Sequence, residues 1–75
     1  MSCEMVCTLA KKAMDACKAG DYPRAIVILI KAHDICLVGG CDNIVMCKAV
    51  DYAIDELIDG DVDTAMKHLK KILEI

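Results

Sequence analysis

From Cys3 to Lys18 the apolar positions recur every three or four residues. On a wheel of about 100° per residue, Cys3, Val6, Cys7, Ala10, Ala13, Met14 and Cys17 share one face. Glu4, Thr8, Lys11, Lys12, Asp15 and Lys18 share the other. This pattern predicts an amphipathic helix with Ser2 as its N-cap. Gly20 supplies the left-handed residue that ends it. A second helix starts from the cap Asp21, with Pro23 in the first turn where no amide partner is needed, and runs to about Leu37. Its main face reads Tyr22, Ile26, Leu29, Ile30, His33 and Leu37, flanked by Ala25 and Cys36. The opposite face carries Ile28 and Ile35 beside Arg24 and Lys31. A helix apolar on two sides is packed on two sides, so Ile28, Ile35, Arg24 and Lys31 form the candidate interface with a partner.

Val38-Gly39-Gly40-Cys41-Asp42 is the one clear loop, and Asp42 is the expected cap of a third helix over residues 43–58. Its core face is Met46, Ala49, Val50, Ala53 and Leu57. Gly60 and Asp61 repeat the stop and the cap. A fourth helix then runs to the C-terminus with Val62, Ala65, Met66, Leu69 and Leu73 inward. Asp61 and Asp63 at its start and Lys70 and Lys71 near its end suit the helix dipole. No segment alternates with period two, so no strand is expected.

The two halves are copies. Laying residues 1–35 over 41–75 gives nine identities: Cys7/Cys47, Ala13/Ala53, Asp15/Asp55, Gly20/Gly60, Asp21/Asp61, Ala25/Ala65, Leu29/Leu69, Lys31/Lys71 and Ile35/Ile75. Chance at ordinary residue frequencies gives roughly two or three. The chain therefore reads as one all-α domain of four antiparallel helices. They are arranged as two duplicated helix-turn-helix hairpins, 2–38 and 42–75.

The segment Gly20-Asp21-Tyr22-Pro23-Arg24-Ala25-Ile26, followed by Leu29, Lys31-Ala32 and Ile35, resembles the centre of a tetratricopeptide repeat. That family uses a Gly-Asp-Tyr turn between its two helices and a small residue where they touch. Gly60-Asp61-Val62-Asp63-Thr64-Ala65-Met66 is similar to it more loosely, and Ala13 and Ala53 fall where the family keeps a small residue. Leu9 and Ala49 stand where the family has a bulky aromatic, and Leu37 where it has its closing proline. The period is 40 residues rather than about 34. The resemblance implies a protein- or peptide-binding helical module. A plain antiparallel four-helix bundle is the competing arrangement.

Composition sharpens this picture. The chain has 75 residues, of which 57% are hydrophobic before its four glycines are counted. Ordinary domains reach about 45–50% with glycine included. A domain this small buries only about 60–65% of its unfolded surface. The surplus predicts a second interface, most simply a homodimer. Net charge is −3 with signs interspersed, which argues against nucleic acid as a partner. The longest apolar run, Ala25 to Ile30, is six residues, far short of the roughly 20 that span a membrane. Met1-Ser2-Cys3-Glu4 lacks the basic and apolar stretches of a secretory signal. The expectation is a soluble, cytoplasmic protein.

Six cysteines stand at 3, 7, 17, 36, 41 and 47. Buried free thiols, disulfides and a soft-metal site all remain open. In the first hairpin Cys3 should lie near Cys36. Cys7 and Cys47 are equivalent repeat positions that side-by-side helices would join. Those are the two expected disulfides. No Cys-x-x-Cys pair is present, and no metal ligand set or cofactor is expected. His33 reads as a core or rim histidine, and His68 as exposed within the basic patch of Lys67, Lys70 and Lys71, a candidate contact for an acidic peptide. Ser2, Thr8 and Thr64 have no histidine near them in sequence, and there is no phosphate loop. No catalytic residue is assigned and the chain is not expected to be an enzyme. The leading expectation is a self-associating helical interaction module. The alternative is a cysteine-based metal-binding or redox-sensing protein.

Overall fold

The computed structural model describes residues 2–74. It contains four helices, α1 (Ser2–Lys18), α2 (Tyr22–Leu37), α3 (Ile44–Ile58) and α4 (Val62–Glu74), and no strand among the described residues. The Ser2 side chain, expected as the first cap, and Ile75, the last repeat position, lie outside what is described.

Both hairpin turns are the same device. Gly20 adopts φ 78° and Gly60 φ 83°, a region open to glycine at little cost. At the first turn the Asp21 amide donates to Ala16 O at 2.8 Å and the Gly20 amide to Cys17 O at 3.0 Å. At the second, Asp61 donates to Glu56 O at 2.8 Å and Gly60 to Leu57 O at 3.2 Å. These paired bonds satisfy carbonyls that a helix end otherwise leaves free. The same aspartates then cap the following helices. Asp21 Oδ1 accepts from the Arg24 amide and Asp61 Oδ1 from the Thr64 amide, each at 3.3 Å. The two turns thus share one pattern of hydrogen bonds. The cap of α3 is Asn43, whose Oδ1 accepts from the Met46 amide at 3.1 Å. Expected one residue earlier, at Asp42, it moves because the loop after Gly39 runs one residue longer.

Each helix packs mainly on two neighbours, α1 on α2 and α4, α3 on α2 and α4. The four close into a ring, the arrangement of a four-helix bundle. Eight of the 17 buried core residues are alanines, among them Ala10, Ala13, Ala25, Ala32, Ala53 and Ala65. Small residues let helices approach closely, and Val6, Leu29, Val50, Leu69 and Ile72 fill the remaining space. In α4 the third inward position is Ile72; Leu73, expected there, is exposed.

The buried stripe of α2 is Ala25, Leu29 and Ala32. It is rotated from the expected face, and Ile30 and Leu37 point outward. Ile26, Ile28, Ile35 and Cys36 line its two flanks, half-buried against the core. The cause is that α2 touches both α1 and α3. Its contact arc is wide, centred on small alanines rather than on the largest side chains. Ile28 lines the α1/α2 groove with Lys12, Asp15 and Ala16. Ile28 and Ile35, expected at an intermolecular interface, are half-buried against the core. Arg24 and Lys31 are exposed.

Candidate functional site

Helix polarity brings the start of α1, the end of α2, the 38–43 loop and the start of α3 to one end of the bundle. Five of the six cysteines gather there. Gly39 has φ 77°, and the Gly40 amide closes α2 on Ile35 O at 2.8 Å. The loop then folds back and buries Cys41, 6% exposed.

Two disulfides follow. Cys3 bonds Cys41, with Cα atoms 4.8 Å apart, and Cys36 bonds Cys47, with Cα atoms 6.0 Å apart. Both separations fall in the range a disulfide spans. Neither expected pairing forms. Cys36 turns to α3 rather than to α1, and the loop delivers Cys41 to Cys3 in its place. Cys7 and Cys47 occupy α1 and α3, which sit across the ring instead of side by side, so their equivalence in the repeat brings no contact. Cys7 stays a free, half-buried thiol and Cys17 a free, buried one. Burial pushes the Cys17 thiol above its ordinary value of 9.0, because the thiolate would lose its hydration.

The two disulfides are neighbours. Cys47 Sγ lies 3.7 Å from Cys41 O, and Cys41 Sγ lies 3.9 Å from Met46 Sδ. Cys36, Cys41 and Cys47 line one open cleft of about 320 Å³ with His33, Leu37, Ile44 and Asp51. His33 Nε2 stands 3.9 Å from Asp51 Oδ1 across the α2/α3 seam, the rim position expected for this histidine. No group of three or more His, Cys, Asp or Glu side chains is arranged to hold a metal ion among the described residues.

Beside the same seam both helices expose apolar side chains, with the charged Lys48, Asp51 and Asp55 standing between Ile44 and Ile58 on α3. Leu37 is 70% exposed, Ile44 68% and Ile58 65%, with Val27 and Ile30 about half exposed. Periodicity alone pointed to Ile28 and Ile35 instead, since it counts apolar residues without knowing which flank a neighbouring helix occupies.

His68 differs from its expected exposed position. Its Nδ1 lies 2.6 Å from Glu56 Oε1, and its ring tilts 38° against Tyr52 with centroids 5.6 Å apart. Glu56 and Tyr52 lie on α3, so this contact ties α4 to α3. Sequence distance hid it, the partner being 12 residues away. No helix among the described residues is long and apolar enough to cross a membrane. The chain matches no family model, no curated protein and no solved structure.

Proposed function

We propose that the chain is a disulfide-stapled helical module that works by association, and that its partner is a second copy of itself. The observation that carries this reading is the set of exposed apolar side chains Ile30, Leu37, Ile44 and Ile58 beside the α2/α3 seam. Monomeric proteins rarely leave large apolar patches uncovered. The seam also suits self-pairing. His33 and Asp51 lie near its middle, and a two-fold axis there places each histidine against the other copy's aspartate, as an isologous interface requires. A standard interface covers about 800 Å² per partner. That is roughly one sixth of the 4583 Å² surface, or one long side of the bundle. The tetratricopeptide resemblance of the turn supports the same class of function, binding without chemistry.

Sedimentation equilibrium over micromolar concentrations tests this. The native chain is expected to be a dimer. The variant carrying Ile30→Glu and Leu37→Glu is expected to be a monomer with unchanged helical circular dichroism. A native chain that stays monomeric at every concentration removes the proposal.

The second reading is a thiol protein, favoured by the five cysteines at one end, of which Cys7 is free. Disulfides persist in oxidising compartments and in the cytosol of hyperthermophiles, and the expectation of a cytoplasmic protein holds in the latter setting. Intact mass before and after reduction, with alkylation, counts the bonds. Six thiols alkylated without reductant contradicts the stapling.

A further inference from the structure

The α3/α4 groove, on the other side of α3 from the seam, contains a small pocket of about 190 Å³ lined by Val45, Lys48, Ala49, Tyr52, His68 and Lys71. Pockets for drug-sized ligands run from about 300 Å³ upward, so this one suits a fragment. Its floor is apolar. Ala49 is buried, and Val45 and Tyr52 are about half exposed beside it. Its rim is cationic. Lys48 comes from α3 and Lys71 from α4, both exposed, and neither has a carboxylate within 4 Å among the described residues. No acidic side chain among the described residues lines the pocket, although the molecule as a whole carries a net charge of −3.

On the α3 side Glu56 is occupied by His68 Nδ1 at 2.6 Å. That contact fixes the ring, and Tyr52 covers part of it. A histidine held through Nδ1 keeps Nε2 as its second hydrogen-bonding atom. The pocket therefore combines a flat apolar surface, an oriented imidazole and two ammonium groups from different helices.

We propose that this groove is a binding site for a small carboxylate carried on a flat apolar body. The body lies on Tyr52 and over Ala49. The carboxylate accepts from Lys48 and Lys71 at the rim, where an ammonium–carboxylate hydrogen bond is stronger than one between neutral groups. The site lies on the other side of α3 from the self-association seam, and the two share only Lys48, which also lines the α2/α3 cleft.

Benzoate is the probe, titrated into the oxidised full chain and followed by amide ¹H–¹⁵N correlation spectra. Benzyl alcohol keeps the body without the charge, and acetate keeps the charge without the body. Saturable shifts are expected at Val45, Ala49, Tyr52 and His68 with benzoate, and at least tenfold weaker binding for each comparator. The double variant Lys48→Gln with Lys71→Gln replaces two exposed side chains and should reduce benzoate to the level of benzyl alcohol. Tyr52→Ala should weaken benzoate and benzyl alcohol together while leaving acetate unchanged. Linear, non-saturating shifts overturn the proposal. So does a response shared equally by Lys67 and Lys70, which would mark general attraction to a basic surface. A double lysine variant that titrates like the native chain also overturns it.

Discussion

The two disulfides close loops of very different length, and this difference can be measured. Cys3 and Cys41 are 38 residues apart and Cys36 and Cys47 are 11 apart. In the chain-entropy model a cross-link restricts the unfolded ensemble more as the loop it closes grows. That model gives about 3.9 kcal/mol for the long loop and about 2.8 kcal/mol for the short one at 25 °C. A domain of this size has a total stability of about 5 kcal/mol, so either bond is a large share. Two variants isolate them. Cys36→Ala with Cys47→Ala leaves only the long loop, and Cys3→Ala with Cys41→Ala leaves only the short one. Urea unfolding of each, with and without reductant, gives the contribution of the remaining bond on an otherwise constant background. The long-loop variant should lose about 1 kcal/mol more on reduction, a gap of about 4–8 °C in Tm. A larger loss from the short loop would mean that native-state strain or residual denatured structure, not loop entropy, governs the staples.

Two further outcomes follow from single residues. Cys17 is 5% exposed and its thiol is held above 9.0 by burial. Its native pKa is raised, so the stabilisation is complete below the unfolded pKa and is lost as pH rises through the native one. The urea midpoint of the native chain should fall more between pH 8 and pH 10 than that of Cys17→Ala, and equal falls would exclude the thiol as the cause. Gly20→Ala should cost about 1–2 kcal/mol. At φ 78° a Cβ meets nothing within 4 Å, so the penalty is conformational alone. Gly60→Ala, at φ 83° and with nothing within 4 Å of its Cβ position, should cost the same, and thermal melts of the pair compare the two turns directly.

The helices and turns were legible because their signals are local. Gly20, Asp21, Gly60 and Asp61 act within six residues of themselves, so the sequence window that carries the signal also contains its partner. The inward stripes of α1 and α3 followed for a related reason, since alanine, valine and cysteine there crowd onto one narrow arc. The face of α2 did not follow. Its buried centre is Ala25 and Ala32 around Leu29, and alanine contributes little to a hydrophobic pattern even where it marks the closest helix approach. The cysteine pairing was illegible for another reason. It depends on where six loop residues return the chain and on which helices are neighbours in the ring, and neither is written in periodicity. The Glu56–His68 contact belongs to the same class.

The Cys3–Cys41 bond also determines how the molecule behaves under load. Both the start of α1 and the end of α4 lie at the sulfur-rich end. A pull applied at residues 2 and 74 enters at Cys3 and crosses at once to Cys41, bypassing α1 and α2 altogether. Only the 33 residues that follow Cys41 up to Glu74 can then straighten. At about 3.3–3.6 Å per residue the tether lengthens to roughly 110–120 Å, against roughly 240–260 Å once both disulfides are cut. Reduction would about double the reach of the chain, making this bond a limiter on extension as well as a staple.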